Sequence, residues 1–202
     1  MTFAARLTVF LIAVGYAWMG SRSQAFRTYL ISQGIATVGL FLSEHLLGRS
    51  SRAYLWAYFA LTLLVLVSGG FLAWSAFQLH KARWLALLAA VGIAIAFDVE
   101  AWRHMKGTIG DYIAIGEAGT LIVCAILIGV SAPYQTQPDR MVSLTMALLW
   151  IGLAGFRIGY RVFCGEPYWE IANQVVPCVL VSAAIAWCGA LMRRVEGIAF
   201  PS

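Results

Sequence analysis

The sequence predicts an all-α integral membrane protein, a single bundle of seven transmembrane helices joined by short loops over residues 1–202. Hydrophobic residues make up 61% of the chain and charged residues 11%, whereas a soluble domain is roughly half apolar and a quarter charged. The mean hydropathy is +0.81. The apolar residues form continuous runs near the ~20 residues that a helix needs to cross a bilayer. They lack the apolar–polar alternation of transmembrane strands.

Seven apolar runs are separated by charged or turn-forming residues. The predicted spans are 3–19, 25–47, 53–79, 84–102, 112–133, 141–160 and 168–192. The first span contains Arg6 near its start, like a signal peptide, but no clean small-x-small cleavage site follows it, so we expect a retained helix. The connecting loops are too short for a soluble domain. Any chemistry is therefore expected inside the bundle or at its rims.

The predicted spans divide the loops between two sides. Side A holds the loops after helices 1, 3 and 5 and the C-terminus, and side B holds the N-terminus and the other loops. Lys and Arg are split seven to seven, so the positive-inside rule does not choose an orientation. The acids are unequal, with two on side A and seven on side B. A basic face suits anionic cytoplasmic lipid, so we expect the C-terminus in the cytoplasm and the N-terminus outside.

The acidic side B contains the residues that could form a binding site. Glu117 lies about two turns into helix 5, between Gly116 and Gly119, and small neighbours let another helix approach closely. Ionisable groups in membrane spans are costly and are often functional. We therefore predict a polar pocket that binds an ion or a small solute. Its predicted residues are Glu117, Asn173, Gln174, Arg157, Glu170, Asp98 and Glu100, with Glu44, His45 and His104 at the rim.

Helix 7 carries a proline that predicts a kink beside this pocket. Pro177 follows Asn173 by four residues and removes the hydrogen bond to the Asn173 carbonyl. Interrupted helices of this kind line sites in transporters. Arg157 is expected to pair with Glu117 and to set its protonation. In the alternative interpretation, the side B acids are solvated rim charges and the Glu117–Arg157 pair is only structural.

The histidines allow a second kind of site. His45 and His104 share side B with Glu44 and Glu100, and these four residues could hold zinc or iron. The two histidines could also ligate a haem or a chlorin. A metal that activates water would make the chain a hydrolase. Histidines and acids at one rim are similar in outline to the seven-helix hydrolases of lipid amides, but that family has a histidine pair in its last helix, and helix 7 here has none.

Other functional classes lack the residues they need. A retinal protein needs a lysine in mid-membrane, and Lys81 and Lys106 lie in loops. No G-x-x-x-x-G-K-[ST] motif occurs, which excludes a nucleotide-driven pump in this chain alone. The basic residues are scattered singly, so we expect membrane lipid and not nucleic acid as a partner. Gly155 and Gly159 form a G-x-x-x-G face that predicts contact with another helix, in this chain, a second copy or another membrane subunit.

These observations favour a non-enzymatic membrane protein that acts as a transporter-like, sensor-like or accessory subunit of a membrane complex. The absence of catalytic motifs and of a soluble domain, together with the one-sided acids, leads to this expectation. Two alternatives remain: a membrane-embedded metal-dependent hydrolase, and a purely structural subunit.

Overall fold

The structure, a computed structural model, describes residues 3–21, 23–48, 51–77, 83–104, 109–163 and 176–198. The described part of the chain is helical and contains no strand. The helices are α1 (Phe3–Gly20), α2 (Gln24–Leu47), α3 (Arg52–Phe77), α4 (Arg83–Arg103), α5 (Ile109–Ser131), α6 (Gln137–Phe163) and α7 (Val176–Ile198). A short 3₁₀ helix, Ala132–Tyr134, follows α5.

The predicted number of seven helices is confirmed, and six of them, α2 to α7, are long and apolar enough to cross a membrane. The first predicted span is also a helix. Its apolar stretch, Leu7–Met19, is shorter than the ~20 residues that a full crossing requires. The structure therefore supports a multi-pass protein with six helices of crossing length.

The helix ends differ from the predicted ends mainly where polar turns extend an apolar run. α6 covers Gln137–Phe163, whereas the prediction was 141–160. Hydropathy detects only the apolar stretch, whereas the helix also includes polar residues such as Asp139 in its first turn. A negative charge there interacts favourably with the helix dipole. α7 likewise continues to Ile198, past the predicted end at 192. Residues 168–175 of that prediction lie outside the described residues.

The turn between α2 and α3 brings two polar helix ends to the same end of the bundle. α2 ends at Gly48, whose φ of 73° is a left-handed conformation that glycine adopts without steric cost. Its N–H donates to the Glu44 carbonyl at 3.2 Å. The N–H of Tyr54, in the first turn of α3, donates to Ser51 Oγ at 3.0 Å. Glu44, in the last turn of α2, and Tyr54, in the first turn of α3, therefore lie at the same end of the bundle.

The helices form a ring of six with one helix outside it. Going round the ring, α1 packs against α2, α2 against α3, α3 against α5, α5 against α6, α6 against α7, and α7 against α1. The only extensive contact of α4 among the described residues is with α5. Although α4 lies between α3 and α5 in the sequence, α3 and α5 pack directly together. A space inside the ring is therefore bounded by every helix except α4.

Two close helix approaches hold the ring together at glycines. A Cβ on Gly189 of α7 would lie 2.8 Å from Tyr16 Cδ1 and 3.1 Å from Ala17 Cα, so α1 and α7 touch backbone to backbone there. A Cβ on Gly39 of α2 would lie 2.9 Å from the Leu61 methyl carbons of α3. Small residues allow this proximity, which increases the van der Waals contact that associates helices in lipid.

Candidate functional site: a cavity inside the six-helix ring

A cavity of about 240 Å³ lies inside the ring and is lined by residues of α1, α2, α3, α5, α6 and α7. On α2 its lining extends from Tyr29 to Glu44, and on α3 from Tyr54 to Gly69. Each of these stretches covers about 22 Å along a helix axis at 1.5 Å per residue. The cavity is therefore elongated along the helices and reaches the end of the bundle where α2 turns into α3.

The inner end of the cavity is closed by aromatic side chains. Tyr29 and Trp150 are each 1% exposed, and their rings meet edge to face with centroids 5.8 Å apart. Trp150 Nε1 donates to Tyr29 Oη at 3.2 Å, and Gln33 Nε2 donates to the same oxygen at 2.9 Å. All three side chains line the cavity. The Trp150 hydrogen bond joins α2 to α6 at this aromatic closure, and the Gln33 hydrogen bond holds Tyr29 within α2.

An ion pair between α5 and α6 forms part of the cavity wall. Arg157 Nη1 donates to Glu117 Oε2, and it also donates to Tyr58 Oη at 3.2 Å. The Glu117 side chain is 4% exposed and that of Arg157 is 22% exposed. The pair thus joins three helices of the ring, and the carboxylate is its more deeply buried member.

One carboxylate oxygen of Glu117 is left without a hydrogen-bond partner. Oε1 is buried and accepts no hydrogen bond within the described part of the chain, although a carboxylate can accept about four. The arginine contacts Oε2 through a single nitrogen, whereas Arg–carboxylate pairs are frequently bidentate. Since Glu117 lines the cavity, a molecule in the cavity could supply the missing donor.

The structure brings together some of the predicted pocket residues. Glu117, Arg157, Glu44 and Pro177 all line the cavity. Pro177 is the second residue of the described α7, so the predicted kink and the predicted pocket residues Glu170, Asn173 and Gln174 fall at or beyond the edge of the described residues.

Asp98 and Glu100 do not line this cavity, because both belong to α4, which lies outside the ring. Asp98 faces α5, where its carboxylate occupies the place that a Cβ on Gly119 would take. Glu100 is exposed and binds Arg103 at 2.9 Å and His104 at 3.3 Å, both on α4 itself. These two acids are thus separated from the Glu117 site by the α5 backbone.

The predicted metal ligands are not gathered into one cluster. Glu44 and His45 belong to α2, which packs against α1 and α3, while Glu100 and His104 are at the end of α4. Among the described residues, no group of three or more His, Cys, Asp or Glu side chains is close enough to hold a metal ion. Two separated pairs do not provide the three protein ligands of a typical catalytic zinc site.

The predicted G-x-x-x-G face of α6 makes no close helix contact with the described part of the chain. A Cβ on Gly155 or Gly159 would meet nothing within 4 Å, so neither glycine makes the close helix contact that it was expected to make within this chain. This face of α6 points out of the ring.

Sequence reasoning missed the polar aromatic residues of the cavity. Tyr29, Gln33, Tyr58 and Trp150 were not predicted site residues, since aromatic side chains in apolar spans resemble ordinary core. Gln33 carried a usable signal, because an amide in the middle of an apolar span needs a partner in lipid. Comparison with protein-family models, curated proteins and solved structures gave no match.

Proposed function

We propose that the chain is a multi-pass membrane protein that binds a small solute in the cavity of its six-helix ring, as a transporter-like or sensor-like protein. The observation that carries this proposal is the Glu117–Arg157 pair on the wall of a cavity of about 240 Å³. Ligand sites are concave, mostly apolar and supplied with a few convergent polar groups. The cavity volume is below the ~300–1,000 Å³ of drug-sized sites, so the solute is small.

The shape of the cavity favours a protein that moves or senses its solute over one that only holds it. The cavity extends along most of α2, from Glu44 near one end to Tyr29 near the other, where the Tyr29–Trp150 contact closes it. Transporters bind substrate near the bilayer midplane and open alternately to the two sides. The Tyr29–Trp150 contact joins α2 to α6 through one hydrogen bond, so separating these two side chains is the change that would open the cavity at this end.

The membrane setting is part of the proposal. Six helices of crossing length and an outward surface rich in large apolar side chains support it. We place side A in the cytoplasm, with α1 also crossing and the N-terminus outside, because side A carries five more basic than acidic residues. In this orientation the Glu44 end of the cavity faces outward. Membrane lipid is then the surrounding partner, and the open Gly155–Gly159 face is available for lipid or another helix.

Ligand-dependent stability tests the proposed function. In the purified chain in lipid nanodiscs, a panel of small cationic, anionic and neutral solutes is screened for a rise in melting temperature, since a ligand that binds the folded state stabilises it. Gly69→Leu should abolish any rise, because a Cβ at Gly69 already lies 3.5 Å from Trp150 Cζ2 and a larger side chain fills the cavity. A separate experiment tests the membrane setting: membranes washed with alkaline carbonate should retain the chain.

Gly70→Leu is the matched control. Gly70 is the next residue of α3, does not line the cavity, and has nothing within 4 Å of an added Cβ. This variant should keep the full response to every stabilising solute. Equal responses in the two variants, or no response from the wild-type chain to any solute, would contradict solute binding in the cavity.

A further inference from the structure

We propose that the solute is a small protonated amine whose N–H group donates to Oε1 of Glu117; this inference rests on the proposed function and narrows its ligand class. The Glu117 side chain lines the cavity, and its buried Oε1 lacks a donor within the described residues. A carboxylate oxygen accepts and cannot donate, so the group that completes it must carry a hydrogen. Anions such as carboxylates lack that hydrogen, and apolar molecules offer none.

The charge of Glu117 favours a cationic donor over a neutral one. An ammonium group adds Coulomb attraction to its hydrogen bond with the ionised carboxylate, which a neutral donor does not. Arg157 already contacts the carboxylate, but it does so at Oε2 only and is 22% exposed. Its charge is therefore partly screened by solvent or headgroups, while the carboxylate, 4% exposed, is not. A cation in the cavity would therefore lie beside a carboxylate whose charge water does not screen.

The walls near Glu117 suit an ammonium group with an apolar body. Tyr58 Oη and Glu117 Oε2 share the same Arg157 nitrogen, which places the Tyr58 ring beside the carboxylate. Tyr54, with a ring centroid 6.4 Å from that of Tyr58, also lines the cavity. Aromatic faces attract ammonium groups. Farther in, Leu121 and Leu153 provide apolar walls for the rest of the molecule.

Protection of a native thiol measures this binding. Cys178 lines the cavity and is half-buried, while Cys188 is buried and does not line it. The full chain in nanodiscs is treated with methyl methanethiosulfonate, and the modification of each cysteine is followed by mass spectrometry. Benzylamine, benzyl alcohol and benzoate are the probes, since they share a ring and differ in the polar group.

Benzylamine should slow the modification of Cys178 at least about fivefold more than benzyl alcohol or benzoate at the same concentration, because only it adds the attraction of a positive charge to the hydrogen bond with the carboxylate. Modification of Cys188 should not change. The double variant Glu117→Leu/Arg157→Leu removes the acceptor without leaving a buried unpaired charge. In this variant, protection by benzylamine should fall to the level of benzyl alcohol.

Three results would overturn the amine assignment. Equal protection by benzyl alcohol or benzoate would show that the cavity binds ligands without selecting an ammonium group, and solute binding would survive. Undiminished protection in the double variant would place the amine away from Glu117. No protection by any probe would show that the cavity does not bind this amine; the Gly69→Leu and Gly70→Leu comparison then decides solute binding separately.

Discussion

The hydrogen bonds of individual side chains concentrate at two places in the cavity, the aromatic closure and the ion pair. The aromatic closure carries no charge, and Tyr29 Oη accepts both of its hydrogen bonds. The ion pair is asymmetric, with a carboxylate that is far less exposed than its arginine. Removing a partner from a buried pair is costly because the remaining charge stays desolvated. The cost should therefore depend on which partner is left behind.

Substitutions of the pair should have unequal effects on stability. Arg157→Leu strands the buried carboxylate and should lower the free energy of unfolding by about 3–5 kcal/mol. Glu117→Leu should cost less, because the remaining arginine is 22% exposed and can extend its charged end to water. The double variant should regain most of the loss. Denaturation in detergent measures all three, and additive losses in the double variant would contradict a coupled pair.

The glycine neighbours of Glu117 allowed part of this site to be predicted from the sequence. They suggested that Glu117 points into the bundle, and the side chain is buried. The close approach is made by α4 at Gly119. The pairing of Glu117 with Arg157 was expected and is present in the structure, whereas the sequence could not tell whether Asp98 and Glu100 share the pocket of that pair. Only the helix arrangement separates these two acids from it.

The sequence determines where each helix lies along the chain better than it determines which helices pack together. Hydropathy located the described parts of the spans to within a few residues, because lipid requires continuous apolar stretches. It could not place α4 outside the ring. All the spans expose apolar residues, and burial against lipid or against another helix looks alike in composition. The order of packing instead depends on where small residues let two backbones meet.

The α1–α7 contact provides a test of this packing. Gly189→Ala should lower the free energy of unfolding by about 1–3 kcal/mol, as overpacking does, because the new Cβ overlaps Tyr16 and the Ala17 backbone. Gly152→Ala on α6 is the matched control, since its Cβ meets nothing within 4 Å. That change should be neutral or stabilising, given the higher helix propensity of alanine. Equal thermal shifts in the two variants would contradict the close approach.

For the molecule as a whole, the central claim is that six helices enclose a cavity that solutes can enter. The ring brings α3 and α5 together, so that Tyr58 of α3 reaches the Glu117–Arg157 pair on the cavity wall. The thiols of Cys178 and Cys188 belong to the same helix, but only Cys178 lines the cavity. They therefore report on cavity access without any substitution.

The rate at which methyl methanethiosulfonate modifies these two thiols, in the ligand-free chain in nanodiscs, tests that claim most directly. If the cavity admits small solutes, Cys178 should react at least about tenfold faster than Cys188, because a fully buried thiol reacts only during local opening. Gly70→Leu should leave the ratio unchanged and Gly69→Leu should lower it. Equal rates at Cys178 and Cys188 in the wild-type chain would contradict a solute-accessible cavity.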